Sequence, residues 1–161
     1  MDKVKYSDCR IRPAIPELDS WRLYEDLRVE DMLEVIGLGH HPRLAIEASF
    51  EHSQKAYTIL SNMDNNIVAS FGVCPTYSER VGCVWLLGTY RMLDIQRTFI
   101  RHSRDWVNEL IGDYNCVVNT VSVSNDLSMR WLKWLGADFL REEPEGYQEF
   151  VIFNNNNSTE E

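Results

Sequence analysis

Two strand-length runs, Val81–Leu87 and Cys116–Val123, bracket the longest amphipathic stretch of the chain, Met92–Ile111. The first run is continuously apolar and the second is rich in Val, so each reads as a buried strand. Between them Ile95, Phe99, Trp106 and Leu110 recur at i, i+4, i+11 and i+15. That is one face of a helix, which Gly112 ends. A buried strand, a long helix and a second buried strand make a right-handed crossover with parallel strands. The chain must therefore build an α/β sheet around this unit.

The remaining segments extend the sheet. Arg10–Ile15 alternates and contains Pro13, as an edge strand tolerates. Ser20 is placed to cap a helix over Trp21–Val35, with Leu23, Leu27, Met32 and Val35 near helical spacing, stopped by Gly37 and Gly39. A second helix covers Pro42–Phe50. Ala56–Ser61 and Ile67–Val73 flank an Asn-rich turn and read as a strand pair. Asn125 or Asp126 caps a short helix that runs to Leu135 and closes at Gly136. Ala137–Arg141 and Gln148–Phe153 form a hairpin around Pro144–Glu145–Gly146. The reading is one domain over residues 1–153, a mixed sheet with helices on both faces. Residues 154–161 form a polar, frayed tail.

Composition narrows the function classes. With 161 residues and 44% apolar content, a full core is within reach. No apolar run approaches the length of a membrane span, and the N-terminus has no signal-peptide core. The net charge of −9 argues against a nucleic-acid partner. Cys9, Cys74, Cys83 and Cys116 lack metal-ligand spacing and read as buried free thiols in a reducing compartment, with no metal site.

The order of elements resembles the GCN5-related N-acetyltransferase fold. The residues that carry the likeness are VVNTVSVSNDLSMRWLKWLGADF, Val117–Phe139, where Asn125, Ser128, Gly136 and Phe139 fit the strand–Asn–helix–Gly–aromatic frame. The stretch from Val84 to Phe153 also resembles the internal virion protein A family of short-tailed phages, whose members share that fold and act in virion assembly. Two apolar runs linked by one crossover helix predict that Val84–Leu87 and Val117–Val123 are adjacent parallel strands in the middle of the sheet, splayed apart at their C-terminal ends. The resemblance to the phage family implies other phage virion proteins as partners, and a place in the host cytoplasm during assembly or in the virion.

Acetyl transfer needs a backbone cradle for the diphosphate, a base for the amine and an acid for the thiolate. The cradle position reads Gly88–Thr89–Tyr90–Arg91–Met92–Leu93–Asp94, with a single glycine. If acetyl-CoA binds, its contacts fall on Leu87, Gly88, Thr89, Arg91, Asn125 and Ser128. The position the resemblance assigns to the acid is Leu132, which has no proton to give, with Trp131 beside it. Glu79 and Ser128 are the catalytic candidates, with Glu47, Glu51 and His52 as unanchored bases. The incomplete set favours a protein that needs no cofactor and works through contacts in virion morphogenesis. The alternatives are an acetyl-CoA-dependent N-acetyltransferase acting on a protein or small amine, and a binding protein that blocks host defence. Arg97, Arg101 and Arg104 form a basic stripe at helical spacing, and Trp131 and Trp134 supply apolar anchors. These five are the expected interface.

Overall fold

The computed structural model describes Met1, residues 3–142 and residues 144–157. In chain order the elements are β1 (Val4–Lys5), β2 (Cys9–Pro13), α1 (Pro16–Asp26), α2 (Val29–Gly37), α3 (Pro42–His52), β3 (Lys55–Ser61), β4 (Ile67–Pro75) and β5 (Val81–Gly88). A 3-10 segment (Tyr90–Ile95) then leads into α4 (Gln96–Ile111), followed by β6 (Cys116–Ser122), α5 (Asp126–Leu135), β7 (Asp138–Glu142) and β8 (Tyr147–Phe153). The strands make one sheet in the order β1-β2-β3-β4-β5-β6-β8-β7. Every neighbouring pair is antiparallel except β5 and β6, which the crossover through α4 makes parallel.

Each face of the sheet carries its own core. On one side Phe99, Trp106, Leu110 and Ile111 of α4 and Leu132 of α5 pack over Phe71, Val84, Val117 and Phe150. On the other, Leu23 and Leu27 meet Ile46 and Phe50 of α3 over Leu60, Ile67 and Trp85. The mixed sheet with helices on both faces follows the sequence expectation, as does the α5 frame. Asn125 accepts a hydrogen bond from the Ser128 amide at the N-terminus of α5, and Gly136 closes the helix with φ +86°.

The N-terminal third departs from expectation. The helix read over Trp21–Val35 is two helices, broken at Leu27–Arg28. Leu27 is extended (ψ 132°) and forms a β-bridge with Thr89, so a tertiary contact interrupts an otherwise continuous helical pattern. Ser20 lies inside α1, its hydroxyl donating to the Pro16 carbonyl, and Ile15 is the N-cap. The strand expected at Arg10–Ile15 ends at Pro13, and β1 pairs outside it. The helix expected from Met92 becomes α-helical only at Gln96. Of the four free cysteines only Cys9 is fully buried. The tail is structured further than expected. The Asn154 side chain donates to Gly112 and Tyr114 carbonyls, and Asn155–Asn157 form one 3-10 turn; residues 158–161 lie outside the described residues. Among the described residues no helix is long and apolar enough to cross a membrane.

Asp19 ties α1 to the sheet. It is fully buried, accepts two 2.8 Å bonds from the Arg12 guanidinium, and also takes the Ile15 amide at 2.7 Å and the Thr58 hydroxyl at 2.8 Å. Burial pushes its carboxyl up, but the Arg12, Ile15 and Thr58 bonds outweigh this and hold it below the usual range. A depressed carboxylate gives stability that is lost as pH falls through the folded-state value. Asp19→Ala should cost about 3–5 kcal/mol, because it strands the Arg12 charge beside the core. Urea unfolding at neutral pH measures this, and the deficit should shrink in acid.

Candidate functional site at the divergence of two strands

The site arises where β5 and β6 part. They pair only from Val81↔Cys116 to Cys83↔Val118. At the apex Asn119 Nδ2 donates to the Val84 carbonyl at 2.6 Å, and its Oδ1 accepts the Thr120 amide. Beyond this point the edge of β5 has no strand partner. The Thr89 amide bonds to Val68 on the β4 side. Backbone groups alternate along a strand, so Val84, Leu86 and Gly88 turn theirs toward the gap.

Helix α2 fills the open end. The Gly88 amide donates to Asp31 Oδ2 at 2.8 Å, and the Gly88 carbonyl accepts the Arg28 amide at 2.9 Å. On the opposite strand the Ser122 amide donates to Glu34 Oε1 at 3.1 Å, and Asn125 Nδ2 donates to Oε2 at 2.9 Å. Asp31 and Glu34 are three residues apart and so share one helix face. One carboxylate serves each strand. The other side of α2 presents Val29, Leu33 and Ile36 to solvent, each at least half exposed. The helix is thus amphipathic with its acidic side inward. Gly37 permits the packing at its end: a Cβ there would lie 1.7 Å from the Tyr147 hydroxyl, which donates to the Glu34 carbonyl.

Burial raises both carboxyls. Asp31 is pushed up to about 6 despite the opposing Arg28 guanidinium and Gly88 amide. Glu34 is raised in the same way, burial outweighing the Asn125 and Ser122 hydrogen bonds. A carboxyl near 6 exchanges its proton close to neutral pH, as proton transfer requires. A cavity of about 280 Å³ passes through the gap. Asp31, Glu34, His40 and Thr120 line its polar end under α2 and α3, and Phe71, Phe99 and Trp106 its apolar end under α4.

The sequence candidates separate around this geometry. Leu87 and Ser128 line the cavity, and Asn125 reaches it through Glu34. The cradle residues are differently engaged. The amides of Gly88, Thr89, Arg91 and Met92 already bond to Asp31, Val68, the Thr89 hydroxyl and the Thr89 carbonyl. Met92 sulfur packs where a Gly88 Cβ would stand. Arg91 pairs with Asp26 at 3.2 Å and Asp64 at 3.3 Å. These amides are therefore not available to a diphosphate; along the gap the Val84 carbonyl and both Gly88 backbone groups are taken as well, with Leu86 between them.

Glu79 lies in the turn before β5, at the end of that strand away from the gap, and lines a shallow groove with Tyr114. Glu47 pairs with Arg43, and Glu51 and His52 are exposed on α3. The expected interface residues lie on α4 and α5, apart from the gap's polar end. Arg97 and Arg101 are exposed, while Arg104 stacks 4.3 Å over Trp134 and donates to its carbonyl. Trp131 is half-buried against Phe99, its indole N–H donating to Ser103.

Asp31 and Glu34 are absent from the sequence candidates, although their spacing was visible. Their raised carboxyls give a signed prediction. A carboxyl raised from 3.8 to about 6 favours folding below about pH 4 and loses that contribution as pH rises through 6. Asp31→Asn, which keeps an oxygen for the Gly88 amide, should flatten the stability–pH profile between pH 4 and 7. The expected difference from the parent is up to about 3 kcal/mol at 1.36 kcal/mol per unit, read from urea midpoints across that range.

No protein-family model matches the chain, and no curated protein matches it by sequence. Solved structures do match in fold. The GNAT domain of S. lividans PAT superposes with a TM-score of 0.66 at 13% identity, over 94% of this chain and 96% of that one. A GNAT-family acetyltransferase from Bacillus anthracis gives 0.63 at 10% identity, over 94% and 98%. A putative ribosomal-protein-serine acetyltransferase from Vibrio cholerae gives 0.64 at 9% identity, over 95% and 99%. The chain has the acyl-CoA N-acyltransferase fold of the GCN5-related type. The virion role implied by the resemblance over Val84–Phe153 has no counterpart in these three structures.

Proposed function

We propose that this chain transfers an acyl group from a pantetheine thioester to an amine in the gap between β5 and β6. The observation that carries the reading is the cavity running from one helical layer to the other through diverging strands, with a protonatable carboxylate on its wall. The thioester arm lies in the gap beside Leu86, between the occupied backbone groups of Val84 and Gly88. The Leu86 amide faces the carbonyl oxygen and stabilises the charge that develops there. The amine enters from the α2–α3 side. Its nitrogen forms the C–N bond as the C–S bond breaks. Its proton passes to Glu34, the less buried carboxylate of the pair, and then to the departing thiolate. Asp31 is a positioning residue that holds Gly88.

A second reading is favoured by the engaged amides of Gly88, Thr89, Arg91 and Met92. In it the chain keeps the fold without the chemistry and serves virion assembly through protein contacts, with the exposed Arg97 and Arg101 and the apolar ridge of α2 as docking surfaces.

Calorimetry with acetyl-CoA and acetyl-pantetheine separates the two. On the transfer reading both bind, with affinities within a few fold of each other because the loop adds nothing for the diphosphate. Glu34→Gln should lower the transfer rate by about 10²–10⁴-fold, the usual worth of a general base, and leave thioester affinity within a few fold. Absence of binding by either thioester overturns the transfer reading.

A further inference from the structure

We propose that Cys74 and Cys83 are a redox pair that closes into a reversible cross-strand disulfide when the chain meets an oxidised low-molecular-weight disulfide of the glutathione class. This is independent of the transfer reading and starts from strand register. In the β4–β5 ladder Cys74 stands directly opposite Cys83. Directly opposed residues of an antiparallel pair share one face of the sheet. Here it is the α3 face, where Cys74 packs against the core that contains Trp85, two residues along β5 from Cys83. The Thr89 amide bonds to the Val68 carbonyl, and backbone bonding alternates along the ladder from that point. Cys74 and Cys83 therefore fall at a hydrogen-bonded pair, with Cα atoms about 5.5 Å apart. Disulfides span about 4.4–6.8 Å between Cα atoms.

The other two cysteines cannot compete. Cys116 pairs with Val81, two residues along from Val118, the partner of Cys83. Strand spacings put it roughly 8 Å from Cys83, beyond the reach of about 7 Å. Cys9 lies on β2 in the core of the opposite face. Cys74 and Cys83 are both partly exposed, so a small reagent can reach them. Burial, and then the facing Cys74 thiol, push Cys83 up to about 11. A largely protonated thiol is a slow nucleophile, so Cys74 opens the exchange. Its sulfur attacks glutathione disulfide and one glutathione leaves. The Cys83 sulfur then attacks the Cys74 sulfur and the second glutathione leaves. Both thiol protons end on the two glutathiones, and two electrons pass from the protein to the reagent. Opposed Cβ atoms stand about 4.5–5.5 Å apart and must close to about 3.5–4.5 Å. A bond formed under that strain reopens readily in reduced glutathione. In the dithiol, Cys74 Sγ donates to the Ser49 carbonyl at 3.7 Å and lies 3.5 Å from the Ser53 hydroxyl, which accepts Trp85 Nε1 at 2.8 Å. Closure draws the sulfur off these partners, so Trp85 emission reports it.

The test equilibrates the full chain with glutathione buffers from reduced to oxidised, alkylates it in denaturant and digests it with trypsin, which cuts after Arg80 between the two cysteines. The expected result is a loss of the mass of two hydrogens and one cross-link, joining residues 56–80 to residues 81–91. The cross-link should vanish in reduced glutathione, and Cys9 and Cys116 should stay alkylated throughout. Cys74→Ser and Cys83→Ser, checked for folding by circular dichroism, should each abolish both the cross-link and the change in Trp emission. The peptide map of the parent chain decides even where a variant fails to fold. Glutathione adducts without a cross-link, a cross-link through Cys9 or Cys116, or free thiols at both positions in the most oxidised buffer overturns the proposal.

Discussion

Two strands that separate inside a sheet leave backbone amides in a place too dry for water to satisfy them, and each such amide costs free energy unless it finds an acceptor. Helix α2 solves this with two carboxylates on one face. Asp31 takes the Gly88 amide and Glu34 takes the Ser122 amide. The neighbouring structure follows from the same need. The chain must break at Leu27–Arg28 so that Leu27 can bridge to Thr89 and Arg28 can reach the Gly88 carbonyl. Gly37 must lack a side chain so that the end of α2 can seat against Tyr147. The gap is held open because both of its edges are satisfied by the helix between them.

That arrangement places stability and chemistry in opposition. A buried carboxyl raised toward neutrality is an unfavourable charge in the folded state above its own titration point. A more stable protein would put an amide at Asp31 or Glu34, neutral yet still able to accept from the Gly88 or Ser122 N–H. The fold instead retains two acids in the cavity wall and compensates elsewhere, notably with the fully satisfied Asp19 network beneath α1. Strain of this kind at one place within an otherwise consistent structure is the usual physical mark of a working site.

Much of the fold was legible in the residues. Val81–Leu87 and Cys116–Val123 read as buried strands because both faces are covered, and the Asn125-to-Gly136 frame of α5 follows from capping chemistry. The divided N-terminal helix was not legible. Leu23, Leu27, Met32 and Val35 continue one helical pattern, neither Gly nor Pro interrupts it, and the break comes from a strand some sixty residues away. The acids were hidden by a reasonable assumption. The core face was read from Leu23, Leu27, Met32 and Val35, and the charged Asp31 and Glu34 beside Met32 and Val35 are residue types that ordinarily face solvent. Here the reverse holds, for a reason found only in the unpaired edges of β5 and β6. The loop after β5 could be read as glycine-poor, but the occupation of its amides by Asp31 and Thr89 depends on tertiary contacts.

The brevity of the β5–β6 ladder bears on how the chain reaches this state. Strands β3 to β5 are successive antiparallel neighbours joined by short connections, so that part can form from contacts close in sequence. The segment from β6 to β8 likewise closes on itself around α5. Three ladder pairs, flanked by the Asn115–Arg80 and Asn119–Val84 bonds, join the two halves within the sheet, and Glu34 is the latch that reaches from the first half to the second. Such a seam gives the amides at its rim a lower opening cost than those of the antiparallel ladders. Amide exchange should report them separately: β3 and β4 protected to the global limit, and Ser122 and Gly88 released together whenever α2 lifts away.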